Sequence, residues 1–124
     1  MGYYSDTAIA LSDKGVMALN ERLGNADAAI AQEVKMLLES AKYHKADPVT
    51  KSEVWHWQDV KWYQYDPVYF PEIDFMEKLL AALDEEEFRF IRIGEDYDDT
   101  EVRGLFTENP FDLEFAKGIF LQEL

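Results

Sequence analysis

The chain contains no cysteine. That excludes disulfides, thiolate metal sites and a cysteine nucleophile, and it fits a reducing compartment. Histidine is scarce, with two in 124 residues, so a zinc site would have to combine both with carboxylates, and nothing in the spacing of His44 and His56 suggests one. No apolar run reaches the ~18 residues needed to cross a bilayer. The opening MGYYSDTAIALSDK lacks the basic start and apolar stretch of a signal peptide, and Asp6 stands where myristoylation wants Ser or Thr. The expectation is a soluble, cytoplasmic protein. Also missing are a P-loop, G-x-G-x-x-G and G-x-S-x-G, so no nucleotide fingerprint or serine-nucleophile elbow is present and no enzyme activity or cofactor is expected.

Basic residues are the other shortage. The formal net charge is -14, unevenly spread: residues 1–62 hold nine acids and seven bases, whereas residues 63–124 hold seventeen acids and five bases. Such a chain lacks the basic footprint that nucleic acid or an anionic membrane requires. It attracts a cation or a basic partner instead. With 48% apolar and 15% aromatic residues it is far too hydrophobic for a disordered acidic tail. One domain with one core is the default at this length.

Hydrophobic periodicity supplies the elements. TAIALS reads as a short strand, and Ser12-Asp13 offers a cap for a helix over about Lys14 to Leu23, with Val16, Leu19 and Leu23 in one stripe, ended by Gly24-Asn25. A second amphipathic helix runs from near Asp27 to about Lys42 on Ile30, Val34, Leu37, Leu38 and Ala41. After a polar connection, EVWHWQDVKWYQY (53–65) has no helical stripe and reads as a strand with a bulge near Asp59, placing Trp55 and Trp57 on one face and Val54 and His56 on the other. Pro71 opens a third helix along Ile73, Met76, Leu79, Leu80 and Leu83. The remainder reads as strands over Phe88–Ile93, Glu101–Phe106 and Phe111–Phe115, the last also matching a helix stripe through Phe111, Phe115 and Ile119, then a final apolar IFL. This order predicts an α+β fold, an antiparallel sheet with helices packed on one face.

Two acidic runs bracket the Phe88–Ile93 strand: Asp84, Glu85, Glu86 and Glu87 before it, and Glu95, Asp96, Asp98, Asp99 and Glu101 after it. Counted from Asp96, a calcium loop of the EF-hand type needs glycine at the position of Glu101 and glutamate at that of Thr107, so the motif fails at its two most specific places. The plainest account of the second run is a solvated turn whose acids pair in part with Arg89, Arg92 and Arg103. Yet acids flank this sheet on several sides, Asp112 and Glu114 included. Five carboxylates along seven extended residues give about one charge per 5 Å, loosely comparable to ~3.4 Å along a DNA strand. The aromatic stretch offers base stacking, core packing or an oligomer interface, and its single Lys61 argues against nucleic acid.

The opening MGYYSDTAIAL, the central EVWHWQDVKWY and the late FRFIRIGEDYDD followed by EVRG resemble a set of small acidic proteins encoded by bacteriophages and bacterial prophages. What the resemblance implies is a setting: such proteins often bind and block a host protein, and anti-restriction or anti-CRISPR proteins that imitate DNA are the best-known acidic class. The leading expectation is therefore a non-catalytic accessory protein that binds a basic, nucleic-acid-handling host protein through Asp84–Glu87 and Glu95–Glu101. The alternative from another class is a small-ligand or divalent-cation binding domain, with enzyme activity left open, using the Glu95–Glu101 carboxylates with Tyr97.

Overall fold

A computed structural model describes residues 4–62, 70–94 and 99–106, together with the backbone of 114–115 and 119–120. The chain runs β1 (Ser5–Leu11), α1 (Asp13–Asn25), α2 (Ala28–Glu39), β2 (Tyr43–Ala46), β3 (Glu53–Val60), α3 (Pro71–Ala82), a 3-10 turn (Glu85–Glu87), β4 (Phe88–Gly94), β5 (Thr100–Arg103), β6 (Glu114–Phe115) and β7 (Ile119–Phe120). The five longer strands form one antiparallel sheet in the order β2-β3-β1-β4-β5. The fold is α+β, as the element order predicts.

The two faces of the sheet follow from register. Ile9 lies beside Trp55 and Phe90, and Leu11 beside Phe88, so these side chains share one face. Against them pack Leu19 of α1, Val34 and Leu37 of α2, and Ile73, Met76, Leu79 and Leu80 of α3. Each such apolar side chain, when fully buried, contributes roughly 1.5–3 kcal/mol. The opposite face carries a smaller cluster of Ala8, Ala10, Val54 and Ile91, all at 0% exposure, with Ile93 and Phe106 against it. Trp55 and Trp57 thus face the helices while Val54 and His56 face away, as the period of two requires.

Local chemistry sets the boundaries. The Ser12 hydroxyl accepts from the Gly15 N–H and starts α1; Asp27 does the same for α2 through the Ala29 N–H at 2.8 Å. Helix α1 runs through Gly24 and stops only at Ala26, which turns extended. Helix α2 ends at Glu39 rather than Lys42, because the Leu37 carbonyl is taken by the Ser40 hydroxyl (2.7 Å) and by Trp57 Nε1 (2.8 Å). The earlier end leaves residues 40–42 to turn the chain into β2, which pairs with β3 where the sequence suggests only a polar connection. The expected bulge is present: the β1–β3 register shifts between Ser5 and Thr7, and Asp59 opposite adopts a φ of 56°. Residues 63–65 of the expected strand lie outside the described residues.

The strand expected over Glu101–Phe106 ends at Arg103, because Gly104 takes a φ of 87° and a Cβ there would stand 2.1 Å from the Phe88 carbonyl oxygen. Only glycine fits. The turn sends the Leu105 N–H to the Glu85 carbonyl and the Phe106 N–H to that of Phe88, strapping β5 to the start of β4. Of Phe111–Phe115 only Glu114–Phe115 is described as strand; it pairs with β7 as a separate hairpin and does not extend the main sheet.

Candidate acidic surface

The four acids before β4 divide into two kinds. Glu87 is held inward: its carboxylate accepts from the Ser12 hydroxyl, and its backbone carbonyl accepts from the Ser12 N–H at 3.0 Å. Gly15 lies so close that a Cβ there would be 3.0 Å from that same carbonyl. Glu87 therefore joins the N-terminus of α1 to the turn. Asp84, Glu85 and Glu86 are exposed, and among the described residues no ion pair involves them. Because Ser12 is bonded to Glu87, exposed Asp13 in the first turn of α1 stands at the same corner.

The acids after β4 have a different fate. Asp99 receives both terminal nitrogens of Arg92, at 3.1 and 2.8 Å, a bidentate pair. Glu101 takes Arg92 Nε at 3.2 Å with one oxygen and is ion-paired through the other to Arg103 Nε at 2.9 Å. Arg103 reaches on to Glu77 of α3 at 2.6 Å and lies 4.2 Å over the Phe90 ring, while Trp62 Nε1 donates to the same Glu77 oxygen at 2.8 Å. The hydrogen bond to Asp99, followed by that to Glu101, holds the Arg92 guanidinium above its ordinary pKa despite partial burial. These two carboxylates are neutralised inside the fold. Arg89, expected to join the pairing, instead donates to the Gly104 carbonyl at 2.8 Å.

Glu95, Asp96 and Asp98, with Tyr97, lie outside the described residues, as does Asp112; of Glu114 only the backbone in β6 is described. Of the described acids, Asp84–Glu86 and Asp99 flank opposite ends of β4, whose seven extended residues span roughly 20 Å. Of the nine candidate residues, the fold thus presents Asp84, Glu85 and Glu86 together to solvent, while Glu87, Asp99 and Glu101 serve internal contacts. Asp13 and Glu77 were not singled out from sequence. The adjacency of Asp13 to the turn is created by β1–β4 pairing, and the role of Glu77 by the crossing of α3 over β5; neither leaves a linear signal.

Among the described residues the remaining titratable groups lie apart. Register places His44 on the helix face and His56 on the other, so they cannot share a ligand. His44 Nε2 meets Glu53 at 2.8 Å and its ring stacks on Trp55 at 4.9 Å. His56 is buried, its Nε2 without a hydrogen-bond partner among the described residues, and burial pushes its pKa below the ordinary value. Asp47, in the β2–β3 turn, accepts the Thr50 N–H and hydroxyl, both at 2.7 Å, which lowers its carboxyl pKa and fixes the turn. Among the described residues no group of three or more His, Asp or Glu could hold a metal ion, and no helix is long and apolar enough to cross a membrane. Comparison with known proteins finds no matching family model, no matching curated protein and no matching solved structure.

Proposed function

We propose that this chain is a non-catalytic binding protein that docks on a basic, nucleic-acid-handling partner through the acidic corner of Asp84, Glu85 and Glu86, with Asp13 beside it. One observation carries the reading: three consecutive carboxylates are exposed on a rigid 3-10 turn, whereas Asp99 and Glu101 are bound by arginines of the same fold. A turn pinned by Ser12 and by the Leu105 strap presents its charges in a fixed arrangement. That arrangement limits the ordering cost of binding. The net charge of -14 adds a long-range field that steers a basic partner toward the surface. The resemblance to phage and prophage proteins supports a host protein as the target, of the anti-defence kind.

The test is capture of basic host nucleases and nucleic-acid-binding proteins on the immobilised chain, compared with a variant carrying Asp84→Lys, Glu85→Lys and Glu86→Lys. All three residues are exposed, so the variant is expected to fold. Expected is at least about ten-fold weaker association for the variant, and a loss of wild-type binding between about 50 and 500 mM salt. Equal retention by both proteins at both salt concentrations would remove the acidic corner from the interface.

A further inference from the structure

Among the described residues, strand β5 is an edge of the main sheet, bonded to β4 on one side only. The Gly94 N–H donates to the Asp99 carbonyl, which sets the phase of the antiparallel ladder: Asp99, Glu101 and Arg103 bond toward β4, so the peptide groups of Thr100 and Val102 point outward. Next to this edge runs an open groove of about 500 Å³ between α3, the 3-10 turn and β5, with Leu80, Ala81, Leu83, Phe88, Val102 and Leu105 among its lining. Val102 and Leu105 are 43% and 57% exposed, unusual for apolar residues beside an unpaired strand. Glu85 lines the same groove, and Asp84 and Glu86 adjoin it in the turn.

Outward peptide groups, a groove of mixed lining in which Arg89 and Arg103 stand beside the apolar side chains, and acids at its end together describe a strand-addition site. We infer that the outer edge of β5 docks an extended, lysine- or arginine-bearing segment of the partner protein, which adds to the sheet as a further strand and sets basic side chains against Asp84, Glu85 and Glu86. The inference rests on the acidic-corner reading and names how the partner is held. Main-chain hydrogen bonds supply affinity, alternate apolar side chains enter the groove, and charge selects the occupant. A second copy of this chain suits the edge poorly, since each carries a net charge of -14.

The probe is a short fluorescent peptide alternating valine and lysine, titrated by anisotropy against the full chain, alongside the same peptide N-methylated at alternate residues. N-methylation keeps charge and side chains but removes strand donors. Expected is binding of the parent peptide and a loss of about ten-fold or more on N-methylation. In the protein, Val102→Pro removes an outward donor without touching the β4 ladder, and about five-fold weaker binding is expected. Should that variant fail to fold, the N-methylated peptide on the unaltered protein decides. Equal binding of both peptides overturns the edge proposal; if Asp84→Lys, Glu85→Lys, Glu86→Lys still weakens binding, the acidic-corner reading stands alone. No binding of the parent peptide likewise overturns the edge, while host-protein capture judges the corner separately. A concentration-dependent mass by light scattering that Val102→Pro abolishes would assign the edge to self-association instead.

Discussion

His56 shows how burial gives a residue a pH dependence. Its imidazole sits on the second face of the sheet, beside Ala8 in register, with Nε2 buried and, among the described residues, unpaired. Desolvation disfavours the charged form; the negative field of Asp6 opposes this and the positive field of Lys42 adds to it, and the folded-state pKa lies below the ordinary 6.5. The unfolded chain therefore takes up the proton first. The stabilising effect of neutral His56 is fully present above pH 6.5 and is lost as pH falls below it toward the folded-state pKa. Urea unfolding between about pH 7.5 and 5.5 is expected to show a flatter pH dependence for His56→Gln than for the wild type. Identical slopes would mean that His56 does not titrate differently in the two states. The acids teach a related lesson: Glu86 and Glu101 look alike in sequence, yet one faces water and the other spans two arginines. The positions of Arg92 and Arg103, with Ser12 beside Glu87, decide which of the described carboxylates remain to meet a partner.

Elements are tied together by a few polar residues. Glu77 anchors α3 to the β5 edge through Arg103 and to the core through the Trp62 indole. Removing it leaves the half-buried Arg103 guanidinium with Glu101 as its remaining carboxylate and takes the acceptor from the Trp62 indole N–H. Glu77→Ala is expected to lower the unfolding free energy by about 2–3 kcal/mol, with Glu77→Gln losing less because an amide oxygen still accepts; denaturant titration measures both. Similar stability for Glu77→Ala and the wild type would show that the network contributes little. The three helices were legible because Val34 with Leu37, and Ile73 with Met76, Leu79 and Leu80, recur at helical spacing behind identifiable starts. Strand β2 was not. Its YHKA has no apolar alternation, and it exists because β3 offers an edge to pair with. The end of β5 was missed for a similar reason: the φ of Gly104 is fixed by the closeness of the Phe88 carbonyl, a contact between distant parts of the chain.

For the whole molecule, 26 acids against 12 bases leave a surface that repels itself. Screening should relieve that repulsion more than it weakens the few arginine pairs. The thermal midpoint is expected to rise by several degrees between about 20 and 500 mM sodium chloride, followed by circular dichroism. A falling midpoint would give the internal pairs the larger share. The sequence by itself determined the α+β class, the helix faces, the bulge at Asp59 and the excess of negative charge, because periodicity, capping and composition are properties of neighbouring residues or of their sum. It could not tell which of the acids flanking β4 stay available. For the described ones tertiary structure decided that, folding Asp99 and Glu101 onto Arg92 and Arg103 and leaving Asp84, Glu85 and Glu86 exposed beside the β5 edge. The reason is physical: a carboxylate's availability depends on which cation the fold brings within reach, and strand pairing sets that distance.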